Sequence, residues 1–139
     1  MLIRFVATAF VVICFAGLGR AQETPYRVVF DLTSRDSLDQ TAVMRWVKGI
    51  TESNPQAQIE VVMYGKGFEL VMPDRSKRLR DVESIVKNPN VAFRVCEVAL
   101  KNNQVDKSAL LADVGTVPDG IYEIISKQSQ GWGYIKVGH

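Results

Sequence analysis

Cysteine carries the most versatile chemistry in this sequence, because a thiolate attacks sulfur and carbon centres and binds soft metals. Two cysteines are present, Cys14 and Cys96. Cys96 ends a run of strand-forming residues, Val91-Ala92-Phe93-Arg94-Val95, and opens a segment with helical spacing. A thiol at a strand-to-helix junction faces unpaired backbone N–H groups and the positive end of a helix dipole, and both favour thiolate. Glu97 sets a negative charge beside it, which opposes ionisation. Arg94, two residues back along the strand, shares its sheet face and could offset Glu97. The competing reading is a buried core thiol, since free cysteine is among the most buried side chains. Position alone leaves both open.

A second cluster is Tyr64-Gly65-Lys66-Gly67, in which backbone N–H groups and a lysine could wrap an anion. Its spacing matches neither a Walker motif nor a dinucleotide fingerprint. A tight strand-to-helix turn accounts for the same residues. His139 is the one histidine, at the chain end, so a histidine-based metal site or a Ser/His triad is not available. No carboxylate pair for acid/base work is evident, and neither a metal nor a cofactor is expected.

Residues of this kind need a scaffold, and the hydrophobic pattern supplies one. Tyr26 to Leu32, Ile59 to Tyr64, Val91 to Val95, Val114 to Val117 and Trp132 to Val137 read as strands. Helical segments separate them. Ser37 and Gln40 fit a capping box ahead of Leu38, Ala42, Val43, Trp46, Val47 and Ile50, and Asn54-Pro55 ends that helix. Phe68 to Met72 could add a short helix. Val82, Ile85 and Val86 mark the next face, Glu97 to Asn103 another, and Asp106 caps a short turn. Pro118 and Asp119 open the last helix. Asp74 to Asp81 reads as a solvated charged loop, and Trp46 and Trp132 as core residues. Connections this long imply crossovers, hence a five-stranded parallel sheet with helices on both faces, a three-layer α/β/α sandwich. In such sheets the working site lies at the carboxyl ends of strands, which selects Thr33 to Ser37, Gly65 to Phe68, and Cys96.

The first twenty residues stand apart from this pattern. After Arg4, Phe5 to Leu18 runs 14 residues without a charge and with Thr8 as its one polar residue, shorter than the roughly 18 to 20 of a spanning helix. Gly19 and Ala21 occupy the −3 and −1 positions of a signal-peptidase site. Residues 1–21 therefore read as a signal peptide, 22–139 as one α/β domain, and the destination as a bacterial periplasm with no membrane attachment after cleavage. Loss of Arg4 and Arg20 lowers the basic count from 17 to 15, against 15 acidic residues. A neutral mature chain argues against nucleic acid as a partner. Cys14 leaves with the signal, and Cys96 alone cannot form an internal disulfide.

Around the thiol, Val95-Cys96-Glu97-Val98-Ala99-Leu100-Lys101-Asn102-Asn103 resembles the cysteine signature of the DsrE/DsrF/TusD-like sulfur-relay proteins. Ile59 to Gly67 resembles that family's strand followed by Tyr/Phe-Gly-x-Gly/Ala. Val114 to Ile121 and Gly133 to Val137 resemble its closing segments. The resemblance implies a trimer or hexamer that accepts sulfane sulfur on Cys96 and passes it to another thiol or protein. Gly65, Lys66, Gly67, Arg94 and Glu97 would then form the surrounding pocket. It also admits a non-catalytic oligomeric module of the same fold that binds a small ligand or a soft metal. Glu97 stands where the family more usually has a neutral residue. Characterised members are cytoplasmic, so the leader sequence is a further departure. If it is cleaved as read, mass spectrometry of the protein from its native compartment should find an N-terminus at Gln22. An intact Met1 in a membrane fraction would overturn the assignment.

Overall fold

The computed structural model describes residues 24–138. Residues 1–23, which include the segment read above as a signal peptide, lie outside the described residues, as does His139. Five strands form one all-parallel sheet: β1 (Arg27–Leu32), β2 (Gln58–Met63), β3 (Val91–Cys96), β4 (Gly115–Val117) and β5 (Gly133–Val137). Their spatial order is β4-β3-β2-β1-β5. Four α-helices connect them among the described residues: α1 (Ser37–Ser53), α2 (Leu79–Ile85), α3 (Glu97–Asn102) and α4 (Gly120–Ser129). Short 3-10 helices at Gly67–Val71 and Lys107–Ala109 complete the crossovers. Among the described residues no helix is long and apolar enough to cross a membrane.

The order of the strands dictates the layers. From β1 to β4 the chain steps in one direction across the sheet, and right-handed crossovers keep those connections on one face. Val28, Phe30 and Leu32 of β1, Ile59, Val61 and Met63 of β2, and Phe93 and Val95 of β3 meet Val43, Met44 and Val47 of α1 there. Val82, Ala99, Leu100 and Leu110 extend the same core, and Trp46 stacks on Phe30 with ring centroids 6.0 Å apart. The step from β4 to β5 reverses direction and spans the whole sheet, so its helix must cross the opposite face. α4 does so, and Ile124 packs on Val29 and Val62. This is the three-layer α/β/α architecture.

Local signals set most boundaries. Asn54 and Pro55 end α1 at Ser53, and Asp119 caps α4, its Oδ1 accepting from the N–H groups of Ile121 (2.8 Å) and Tyr122 (3.3 Å). Asp106 caps its 3-10 turn through Ser108 N–H. The start of α1 differs from the capping box read at Ser37 and Gln40. Asp36 is the N-cap and accepts from Leu38 N–H at 2.7 Å. Gln40 is buried instead, where its Oε1 accepts from Lys77 N–H. A carboxylate is at least as good a cap as a hydroxyl, which frees the amide to tie down the 73–81 segment. The charged stretch there is partly helical, since α2 begins at Leu79.

Two glycines give opposite expectations. Gly49 sits on the exposed face of α1, where an added methyl would meet nothing within 4 Å, so Gly49→Ala should stabilise by about 0.5–1 kcal/mol. A methyl at Gly67 would collide with the backbone carbonyl of Leu32, and Gly67→Ala should cost about 2 kcal/mol or more. Urea denaturation of the two variants checks both signs, and a neutral Gly67→Ala would contradict this packing.

Candidate functional site

Strand order also fixes where a ligand crevice opens. β3 and β4 lie side by side, with Cys96 paired to Val117, yet the chain leaves their carboxyl ends in opposite directions. After β3 it enters α3 and the first-face core; after β4 it enters α4 on the second face. Such a switch point leaves a cleft between the diverging connections. A pocket of about 250 Å³ occupies it, and Cys96 lines its wall.

The other walls come from three elements. α3 and the residue that ends it contribute Val98, Ala99, Asn102 and Asn103; the start of α4 contributes Asp119 and Ile121; the turn after β2 contributes Tyr64 and Gly65. Met63 pairs with Val95, so the next row sets Tyr64 beside Cys96. Gly65 adopts φ +57°, and a Cβ there would approach Thr33 O to 2.9 Å. That left-handed step turns the chain sharply enough to leave the pocket open above Tyr64. Asn103 Nδ2 bridges the carbonyls of Ala99 (2.8 Å) and Gly65 (3.3 Å), joining two walls. Gly120 lets the start of α4 descend onto the thiol. A methyl in its place would stand 3.1 Å from Cys96 Cβ, 3.3 Å from Val62 Cγ1 and 3.5 Å from Tyr64 Cβ.

Cys96 itself is 5% exposed and is the sole cysteine among the described residues. It holds the N-cap position of α3 without a side-chain cap hydrogen bond. Its buried character and its place on the pocket wall are compatible, because the surface it does show faces a concavity. Glu97, its neighbour in sequence, lies elsewhere. The Glu97 carboxylate accepts from Lys107 Nζ at 2.6 Å and Thr116 Oγ1 at 2.7 Å and lines a separate groove with Leu100 and Lys101. The hydrogen bond from Lys107, then that from Thr116, holds the carboxyl of Glu97 below the usual range.

Of the residues singled out in the sequence, the fold brings Cys96 and Gly65 together in one pocket. Lys66, Gly67, Arg94 and Glu97 do not line it. Lys66 projects to solvent from the turn, while its N–H donates to Thr33 O (3.0 Å) and that of Gly67 donates to Tyr64 O (2.9 Å). The Lys66 and Gly67 amides are thus engaged inward rather than turned to an anion, and the segment is a tight turn into the 3-10 helix at Gly67–Val71. Arg94 is half-buried and its guanidinium lies against Gly115, the residue paired with it on β4. Glu97 needs no offset from it, because Lys107 supplies the charge partner.

What sequence patterning missed is the polarity of the second face. Asp31 and Glu60 are 4% and 3% exposed, inside strands whose neighbours are apolar. Asp31 Oδ2 accepts from Tyr134 OH (2.6 Å) and Tyr64 OH (3.1 Å). Glu60 Oε2 pairs with Lys127 Nζ at 2.8 Å, and that ammonium lies 4.5 Å from the centroid of the Trp132 ring. Burial raises Glu60, opposed by Lys127. The Asp31 bond anchors the far end of Tyr64, so a buried carboxylate fixes one wall of the Cys96 pocket. Asp31 in an apolar-looking run gave one signal, a charge with nowhere to go but inward.

No family model and no curated protein matches the chain. Among solved structures it is similar to that of a protein described as of unknown function, MTH1491 from Methanobacterium thermoautotrophicum. The two share 30% sequence identity over 80% of this chain and 98% of the other, with a TM-score of 0.74. The chain belongs to the same family as MTH1491. That kinship covers the sheet and its layers and supports the α/β fold.

The two phenols on Asp31 offer a direct check of the second face. Burial, with the Asp31 charge next, pushes Tyr64 up to about 12; the Asp31 hydrogen bond, with burial next, pushes Tyr134 up to about 12. Both values lie above the ordinary 10.0, so the folded state holds these protons more tightly than the unfolded state. Their contribution to stability is complete below pH 10 and is lost as pH rises through about 12. Tyrosinate absorbance should show both phenols still protonated at about pH 11 in the native protein and ionised in urea. Asp31→Asn should lower Tyr134 more than Tyr64, since the carboxylate is the leading cause only at Tyr134. Unchanged titration in that variant would contradict the hydrogen-bonded arrangement.

Proposed function

We propose that the protein is a DsrE-like sulfur carrier in which Cys96 accepts sulfane sulfur and hands it to a second thiol or protein. The observation that supports this most directly is the thiol on the wall of the switch-point pocket. Nucleophilic transfer needs a thiolate, a concave site that admits a small donor, and walls that limit water. Cys96 is the nucleophile. Gly65 and Gly120 make the room, and Asn103 and Tyr64 hold the neighbouring walls in register.

In the transfer, the Cys96 thiolate attacks the outer sulfur of a donor persulfide, R–S–SH. The donor S–S bond breaks, R–S⁻ leaves with the electron pair, and the proton stays on the transferred sulfur, giving Cys96–S–SH. A sulfur atom moves at constant oxidation level, so no external oxidant enters. The reading includes export by the leader and assembly as a homo-oligomer, trimer or hexamer. Ile121, Tyr122 and Ile125, all exposed along α4, favour self-association.

A second reading, a non-catalytic binding module, draws on the small exposure of the thiol. Incubation with 2-hydroxyethyl persulfide separates the two. The carrier should gain one sulfur by intact mass, and Cys96→Ser should stay folded and gain none, since that swap nearly conserves volume. Should Cys96 resist both persulfide and alkylating agents until the protein is unfolded, the binding module is the better description.

A further inference from the structure

The walls of the Cys96 pocket carry a charge pattern that bears on which donors it can accept, and this inference rests on the carrier reading above. Among the described residues, Asp119 is the sole ionisable side chain on those walls besides Cys96 and the Tyr64 phenol, and no lysine or arginine lines them. The nearest cations in sequence are engaged elsewhere: Lys66 faces solvent, Lys101 and Lys107 belong to the groove of Glu97, and Arg94 lies against Gly115. The start of α4 brings about half a positive charge, and Asp119, its N-cap, brings a full negative one. The remaining walls are the apolar side chains of Val98, Ala99 and Ile121 and two carboxamides.

We infer that Asp119 is a specificity-determining residue that turns small sulfur oxyanions away from Cys96, so that the sulfur donor is an organic persulfide whose carrier end is uncharged or cationic. Thiosulfate is the contrasting case. Its transfer is chemically balanced, with Cys96–S⁻ taking the sulfane sulfur and sulfite leaving with the electron pair. Its two negative charges would nevertheless have to shed water beside a carboxylate, with no cation on the walls to replace it. An uncharged organic chain loses little on entering the apolar walls and faces no repulsion.

Three methanethiosulfonates with a common leaving group read this charge selectivity without any sulfur donor. In each, the thiolate takes the R–S group and methanesulfinate departs. The methyl, 2-sulfonatoethyl and 2-(trimethylammonium)ethyl reagents supply neutral, anionic and cationic probes. Relative to a cysteine peptide and to the neutral probe, folded wild type should react roughly fivefold more slowly with the anion at low salt, the scale of one partly screened charge pair. The cation should be favoured in the same comparison. Asp119→Asn should bring both ratios back toward those of the peptide while keeping the fold, because asparagine caps a helix as well as aspartate does. Ratios equal to those of the peptide, ratios unmoved in Asp119→Asn, or a thiol closed to all three reagents would each overturn the inference. Sulfur loading tells the two readings apart. If thiosulfate loads Cys96 as readily as 2-hydroxyethyl persulfide, the role of Asp119 falls and the carrier stands. If the charge bias is found but no donor loads the thiol, the carrier reading falls and the assignment of donor class falls with it.

Discussion

The right-handedness of parallel crossovers governs this molecule. Four strands laid down in one direction leave β5 to find a place at the far edge, next to β1. The connection that takes it there must run back across the other face, so among the described helices α4 alone covers that side. From this one constraint follow the third layer, the divergence of the chain after β3 and β4, and the cleft in which Cys96 lies. The pocket is a consequence of strand order before it is a consequence of any side chain.

The two faces of the sheet meet different demands. On the first, α1, α2 and α3 share the covering, and the strand residues that meet them are apolar. On the second, one helix of ten residues spans four strands, which is too little apolar cover for a fully hydrophobic face. Charge and phenol fill the difference. Glu60 is paired by Lys127 from α4, and Asp31 is met by two hydroxyls that reach it from the neighbouring chain segments. In each carboxylate one oxygen is partnered, Oδ2 of Asp31 and Oε2 of Glu60, and these bonds offset part of the cost of burial, while Oδ1 of Asp31 and Oε1 of Glu60 have no hydrogen-bond partner among the described residues. Tyr64 gains a fixed orientation from the same bond, and the pocket a firm wall.

Much of this was legible in sequence, for identifiable reasons. The strands alternate or run apolar, proline stops α1, and Asp106 is read as a cap because a short carboxylate reaches nearby N–H groups without help from the rest of the fold. Pro118 and Asp119 are read as opening the last helix, which begins one residue later with Asp119 as its N-cap. Parallel pairing followed from the length of the connections. Strand order was beyond reach, since periodicity says which face is buried and nothing about which strand lies alongside. The same limit hid the pocket, whose walls come from residues as far apart as Tyr64 and Ile121. At α1 the sequence offers Ser37 and Gln40 as a capping box, whereas Asp36 caps the helix and Gln40 accepts from Lys77 N–H, a contact 37 positions away that local patterning does not reveal.

Cys96 shows why nearness along the chain is a poor guide to electrostatics. Glu97 is its covalent neighbour, yet successive residues at a strand-to-helix junction project apart, and Lys107 and Thr116 draw that carboxylate into another groove. Asp119 follows 23 positions later and shares the pocket, because the two helices that start beside β3 and β4 bring their first turns together at the cleft. A sequence reading assigns the negative charge to the wrong carboxylate for a physical reason: it can count bonds between groups but not the space between them. The fold holds Glu97 in a groove of its own and leaves Asp119, the N-cap of α4, as the carboxylate that shares the pocket with Cys96.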